Sequence, residues 1–155
     1  MSARLAWLLA AVLAAGCGGP AGPAAVGPAE VVSSGAVVEF YDRASAFYAR
    51  LAGRRFNTLA TFQDAELRQY FRGGPAFADW YADLADELAT FHFEKNRPLT
   101  VSVEEFLVEG PGRARVRVAI VGENALPLRF WETRLEREDR WERQDGQWWV
   151  IPGKL

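Results

Sequence analysis

Reactive and metal-binding side chains are scarce in this chain, which has one cysteine and one histidine among 155 residues. A single cysteine cannot form a disulfide within the chain, and Cys17 and His92 are too few for a zinc cluster of cysteines and histidines. Their wide separation in sequence also disfavours a Cys–His nucleophile pair. We therefore expect no metal site and no cofactor, and we assign no catalytic residue.

An excess of positive charge is also missing. The chain has 18 Lys and Arg against 20 Asp and Glu, a formal net charge of -2. Because nucleic-acid-binding domains carry a basic surface, this balance argues against a nucleic-acid partner. Apolar material is abundant instead: 50% of the residues are hydrophobic and 13% are aromatic. That is enough for the core of one domain.

A continuous apolar run occurs near the N-terminus, at Leu5–Leu13. It follows a short segment with one positive charge, Arg4, and precedes three small residues at 14–16. This order is typical of a cleaved secretory signal peptide, here over residues 1–16. As a helix the run spans about 14 Å, well short of the ~30 Å hydrocarbon core, so it is a poor permanent membrane span.

The residues around Cys17, Ala14-Ala15-Gly16-Cys17, resemble the lipobox of bacterial lipoproteins. The family prefers leucine three residues before the cysteine, where this chain has Ala14. The resemblance implies cleavage before Cys17, diacylglycerol on its thiol and acylation of the new amino group, which together anchor a protein stably. Gly18 in place of aspartate favours the outer membrane, facing the periplasm. The alternative is an ordinary secretory signal with an incidental cysteine.

Residues 17–35 are rich in glycine, proline and alanine. This composition is typical of a tether, which in extended form reaches roughly 50 Å at ~3.1 Å per residue. The folded domain is expected over residues 36–155.

Helical spacing begins at Val37, with apolar residues every three or four positions up to Leu51. A shorter helical segment follows over 59–71, with Asp64 as a capping residue. Pro75 suits the first turn of a third helix. Its apolar stripe runs from Phe77 to Phe91 and its end is expected at Asn96-Arg97-Pro98.

After Pro98 the apolar period becomes two, as in strands. The pattern slips by one residue near Glu104-Glu105, which predicts a bulge. A further strand is predicted over 113–120.

Residues 129–143 are rich in arginine and glutamate, which favour helix locally. Yet Trp131, Thr133, Leu135 and Trp141 keep one parity, which favours a strand. Asp145-Gly146 predicts a two-residue hairpin turn that pairs Arg143 with Trp148, Glu142 with Trp149 and Trp141 with Val150. A guanidinium stacked over an indole ring is expected to stabilise the hairpin modestly.

Helices followed by antiparallel strands predict an α+β domain, with N-terminal helices packed on a curved antiparallel sheet. The W-x-x-x-D-G-x-W-x-V pattern at Trp141–Val150 makes residues 37–151 resemble the NTF2-like (cystatin-like) superfamily. The resemblance implies a cone with an inner pocket, and often pairing into a homodimer. Its members include enzymes, ligand binders and interaction domains, so the fold alone decides no function.

In such a cone we expect the pocket to be lined by Phe40, Tyr41, Tyr48 and Trp131. Tyrosines on an apolar stripe are more often core residues. Our interpretation is a membrane-anchored envelope lipoprotein whose non-enzymatic domain binds a small apolar ligand or a partner protein. Trp149, on the face opposite its neighbours, is a candidate partner surface.

The alternative is a small isomerase or dehydratase that uses an acid–base carboxylate in an apolar pocket. Glu104, Glu105 and Glu132 are the strand carboxylates available for it, although a charged strand face is usually solvated. His92 is expected to have a structural or surface role near the end of the third helix.

Overall fold

The computed structural model describes residues 33–153. The predicted signal peptide, Cys17 and most of the tether lie outside the described residues. The first helix begins at Ser34, so the domain starts two residues earlier than predicted. No helix within the described range has the length and apolar character needed to cross a bilayer.

Helices precede strands, and the predicted α+β class is confirmed. The helices are α1 (Ser34–Ala49), α2 (Leu59–Phe62), α3 (Ala65–Arg68) and α4 (Gly74–Thr90), followed by a 3-10 turn at Glu94–Asn96. The strands are β1 (Thr100–Gly110), β2 (Arg113–Glu123), β3 (Glu132–Gln144) and β4 (Gln147–Ile151). They form one antiparallel sheet in the order β1-β2-β3-β4.

Local capping explains where the helices begin. The side chain of Ser33 accepts a hydrogen bond from the Ala36 N–H, and Asp64 accepts from the Glu66 N–H at the start of α3, as predicted. Pro75 lies in the first turn of α4, where a missing N–H costs nothing.

The third predicted helix ends earlier than expected, at Thr90. His92 takes a positive φ of 59° and turns the chain, so that Phe93 is buried while Phe91 is 44% exposed. The prediction that the apolar stripe extends to Phe91 is therefore wrong.

The sheet register follows the predicted turn and bulge. A register shift between Val103 and Glu105 forms the bulge in β1, and the three predicted hairpin pairs of β3 and β4 are present. Trp148 and Val150 are buried while Trp149 lies on the other face, partly exposed. The guanidinium over the Trp149 ring comes from Arg43 on α1, 5.5 Å from the ring centroid.

The core lies between the helices and the inner face of the sheet, and it is strongly aromatic. Its largest fully buried side chains are Trp80, Trp141, Trp148, Tyr48, Phe40, Phe47, Phe56 and Phe77. The outer face of the sheet is charged, with ion pairs Arg115–Glu109, Arg115–Glu138, Arg117–Glu105, Arg134–Glu104 and Arg134–Glu136.

The domain has two distinct ends. At the hairpin end, the start of α1 lies beside the β3–β4 hairpin, with Glu39 Oε2 2.9 Å from Arg143 Nη2. At the loop end, the Gly53 N–H donates to the Pro98 carbonyl at 2.7 Å, and the β2–β3 loop follows Glu123. Because β2 has 11 residues, the two ends are about 35 Å apart.

Candidate functional site

A buried polar cluster crosses the core, centred on Asp139 of β3. Asp139 is 3% exposed. Its Oδ2 accepts from the Tyr48 hydroxyl at 2.9 Å, and its Oδ1 accepts from Trp80 Nε1 at 3.3 Å and Arg137 Nε at 2.7 Å. One carboxylate therefore ties together α1, α4 and β3.

The cluster extends to the surface through Arg137, whose side chain is 8% exposed. Its Nη1 donates to Glu87 Oε2 on α4 at 2.6 Å, and its guanidinium lies 5.7 Å from the Trp80 ring centroid. Burial lowers the pKa of Arg137, but the charges of Asp139 and Glu87 outweigh it and the pKa is raised. Arg137 is thus held firmly in its charged form.

Tyr48 completes the cluster. Its hydroxyl donates to Asp139 and accepts from Trp141 Nε1 at 3.2 Å. Burial raises the pKa of Tyr48 well above its ordinary value, and the negative charge of Asp139 is the second cause. The hydroxyl therefore stays protonated and serves as a donor.

This arrangement is closed to substrates. Tyr48, Trp80 and Asp139 are each buried, and the polar atoms described above are partnered within the cluster. A general acid or base must reach a proton on its substrate, and a buried carboxylate with three donors has no such access. The cluster fixes how helices and sheet pack, as satisfied buried networks do.

Sequence reasoning missed Asp139, although a signal was present. Asp139 and Arg137 keep the parity of Leu135 and Trp141, the two residues that indicated the inner face of β3. The surrounding run of arginine and glutamate suggested a solvated strand, but parity alone places both side chains inward.

The predicted pocket residues do not line a common cavity. Phe40 and Tyr48 are buried in the core, where Phe40 and Tyr48 both contact Trp141. Tyr41 is exposed, with its ring 4.8 Å from that of Phe106. Trp131 lies at the loop end, before β3 begins at Glu132, so the prediction of a strand from residue 129 is wrong there.

The predicted acid–base carboxylates all face solvent. Glu104 pairs with Arg134, and Glu105 pairs with Arg117 at 2.6 Å. His92 is also exposed. These placements remove the side chains on which the isomerase-like alternative depended.

A cleft at the hairpin end, between α1 and the β3–β4 turn, has a volume of 710 Å³. Arg43 forms its floor: Nε donates to the Trp148 carbonyl at 2.7 Å and Nη2 to the Gln69 carbonyl at 3.0 Å. Burial lowers the pKa of Arg43. Glu39, Asp42 and Asp145 also line the cleft, which adds three carboxylates to its lining.

Three strongly exposed apolar side chains lie on the β2–β3 loop. Leu128 is 82% exposed, Phe130 93% and Trp131 60%, and Phe91, just after α4, is 44% exposed. We call these four residues the loop patch. The Arg129 guanidinium lies 5.6 Å from the centroid of the Trp131 ring.

Backbone contacts hold the loop patch in place. The Ala125 N–H donates to the His92 carbonyl at 2.7 Å, and the Thr133 hydroxyl donates to the Phe91 carbonyl at 2.7 Å. Leu128 has a positive φ of 65°, which is strained for leucine. The loop is therefore tied to α4 and presents its apolar side chains outward.

A shallow hollow of 220 Å³ lies beside the loop patch, lined by Glu94, Glu123, Asn124, Arg129, Phe130, Trp131 and Glu132. Contiguous exposed apolar surface with a polar rim is typical of interaction sites. Strand parity had predicted Trp131 to lie in β3, so the exposed loop was not predicted.

Among residues 33–153, no three His, Cys, Asp or Glu side chains converge in a way that would hold a metal ion. No protein-family model, curated protein or solved structure matches the chain.

Proposed function

We propose that this protein is a lipoprotein of the bacterial cell envelope, anchored through Cys17, whose non-enzymatic NTF2-like domain binds a partner protein through the loop patch. One observation carries the proposal: three large apolar side chains, Leu128, Phe130 and Trp131, are 60–93% exposed on a loop whose flanks are hydrogen-bonded to the end of α4. Single exposed apolar residues are ordinary, but Phe130 and Trp131 line one hollow with polar neighbours, which is typical of a binding surface.

The composition of the loop patch suits a protein partner. Tryptophan, tyrosine and arginine dominate the binding energy of protein interfaces, and the patch combines Trp131 with a neighbouring Arg129. A fully covered aromatic side chain buries roughly 150–250 Å² of surface. Phe130 and Trp131 together therefore supply a central anchor for an interface.

A small apolar ligand is less well supported, because the interior is occupied by protein side chains. Phe40, Phe47, Tyr48, Trp80 and Trp141 pack ring against ring between the helices and the sheet. The enzyme alternative is weakened for the same reason, since Asp139 and Tyr48 are buried.

The outer face of the sheet is a poor surface for a homodimer. Arg115 and Arg117 on β2 pair with glutamates there, and burying these charges would carry a desolvation penalty. The loop patch has no such penalty, because its exposed side chains are mainly apolar.

A photo-crosslinking amino acid at two positions tests the partner site in cells. In place of Phe130 it should give discrete adducts of higher mass, because that side chain meets the partner. In place of Glu136, on the charged outer face of β3, it should give none. Equal labelling from both positions, or none from Phe130, would overturn the docking site.

The anchor has its own test. Cys17→Ala should abolish labelling with a fatty acid and shift the protein from the membrane to the soluble fraction. Gly18→Ala is the matched control and should leave both unchanged. Membrane retention of the Cys17→Ala chain would contradict the proposed anchor without bearing on the loop patch.

A further inference from the structure

A second exposed apolar surface lies on α1, at the hairpin end. Val37 is 38% exposed, Val38 59% and Tyr41 53%. Val37 and Tyr41 are four residues apart and Val38 and Tyr41 three apart, so all three lie on one side of the helix. The ring of Tyr41 contacts Phe106 of β1. We call these four residues the α1 face.

The α1 face lies where the chain enters the domain. Ser33 caps α1, one helical turn before Val37, so whatever holds the chain before Ser33 also holds the α1 face close by. Phe106 of the α1 face pairs with Val116, seven residues before β2 ends at Glu123 near the loop patch, so the two surfaces are about 23 Å apart along the sheet.

We propose that the α1 face rests on the surface of the bilayer that carries the Cys17 lipid. This inference rests on the proposed anchor. A chain of sixteen peptide steps joins Cys17 to Ser33 and spans at most about 50 Å at ~3.1 Å per residue. The α1 face is therefore kept at high effective concentration beside the bilayer, and a weak contact suffices.

The side chains of the α1 face suit the membrane interface. Tyrosine is enriched at the level of the lipid headgroups, where its ring is partly buried and its hydroxyl stays hydrated. Val37 and Val38 add apolar area beside it. This surface is too small to hold the domain at the membrane alone, because a single weak membrane signal gives only marginal, reversible binding. The lipid on Cys17 is therefore required.

Two acidic residues of α1, Glu39 and Asp42, border the α1 face. Asp42 is exposed and stays at the hydrated edge of the contact. Glu39, which follows Val38, is paired with Arg143 at 2.9 Å. The first turn of α1 contains no acidic residue, so its positive dipole end can lie near lipid phosphates without competition. The result is an oriented domain, with the α1 face on the bilayer and the loop patch pointing away from it.

The orientation can be tested on vesicles without relying on lipidation by a cell. The mature chain from Cys17 is coupled through its thiol to a maleimide lipid in phosphatidylcholine vesicles. p-Benzoylphenylalanine is placed either at Tyr41 or at Phe130, and lipid adducts are counted by mass spectrometry after illumination. We expect roughly tenfold more lipid adduct from Tyr41, because tethering holds that side at the bilayer.

Other occupants give different results. Equal lipid adducts from Tyr41 and Phe130 would show a domain without orientation and overturn the inference. Adducts between two copies of the chain from Tyr41 would make the α1 face a dimer surface and overturn it too. Val38→Asp should lower the adduct from Tyr41 severalfold, whereas Leu59→Asp, also at an exposed apolar residue, should not.

The two proposals fail separately. If Cys17→Ala leaves the protein in the membrane fraction of cells, the natural anchor is refuted and the orientation loses its physiological basis. If the anchor holds and the coupled chain shows no preference for Tyr41, the α1 face is refuted while the anchored protein and its loop patch stand.

Discussion

The Tyr48 hydroxyl lies 2.9 Å from Oδ2 of Asp139, a hydrogen bond between residues 91 positions apart in sequence. It joins the C-terminal end of α1 to the inner face of β3. Because Arg137 and Trp80 donate to the other carboxylate oxygen, the contact is one part of a network that sets how the helices lie on the sheet. Its removal should affect stability more than any surface ion pair.

We expect Asp139→Ala to lower the free energy of unfolding by about 3–5 kcal/mol, because it leaves the buried charge of Arg137 without its buried partner. Tyr48→Phe should cost about 1–3 kcal/mol, since it removes one donor from a buried carboxylate. Urea denaturation measures both. Glu136→Ala, on the solvated face of the same strand, should stay within about 0.5 kcal/mol of the parent. Similar losses for Asp139→Ala and Glu136→Ala would contradict the structural role of the network.

The raised pKa of Tyr48 predicts a loss of stability in alkali. Burial raises this pKa above the ordinary value of 10.0, so between the two values the unfolded chain gives up a proton that the folded protein keeps. Stability is therefore fully present below the ordinary value and falls as the pH rises from there toward the folded pKa. Urea denaturation at a series of pH values should show a steeper alkaline decline for the parent than for Tyr48→Phe. Parallel curves would contradict the assignment.

Local turn chemistry explains which parts of the fold were predictable. Asp145-Gly146 fixes a two-residue turn, and the turn fixes the register of the β3–β4 hairpin. The bulge between Val103 and Glu105 was visible as a slip in strand parity. Both signals lie within a few residues of the feature that they predict.

Features that depend on distant residues were harder to predict. Phe91 and Phe93 are both apolar, and only the turn at His92 decides that Phe93 is buried and Phe91 exposed. The inward position of Asp139 depends on donors from α1 and α4, which lie many residues away in sequence. Phe91 fits the apolar stripe of α4 and Trp131 shares the parity of β3, so the exposure of the loop patch follows only from where α4 ends and where β3 begins.

The strained backbone at Leu128 predicts a substitution that separates stability from binding. Its φ of 65° costs a leucine about 1–2 kcal/mol relative to right-handed conformations. Leu128→Gly removes this strain and should leave the free energy of unfolding unchanged or raise it by up to about 1 kcal/mol. It also removes an exposed apolar side chain, so crosslinking to the partner from position 130 should fall.

The same substitution at Leu59 provides the control. Leu59 is also an exposed leucine, but it lies in the helix α2. Leu59→Gly should lower the free energy of unfolding by about 0.5–1 kcal/mol and leave partner crosslinking unchanged. A clear loss of stability in Leu128→Gly would show that the leucine side chain packs in a way that its 82% exposure does not suggest.

Gly122 is a position where the fold leaves no room for a side chain. A Cβ there would lie 2.6 Å from Phe93 Cδ1 and 2.9 Å from the Arg97 carbonyl oxygen. Phe93 is buried and the carbonyl is backbone, so neither can move cheaply, and Gly122→Ala should cost about 1–3 kcal/mol by overpacking. Gly35, in α1, has no atom within 4 Å of such a Cβ, so Gly35→Ala should instead stabilise the helix by about 0.5–1 kcal/mol. Thermal unfolding of the two variants should therefore shift in opposite directions. A gain of stability for Gly122→Ala would mean that the β2 strand does not pack against Phe93 as described, and the backbone contacts that hold the loop patch to the end of α4 would then need a different explanation.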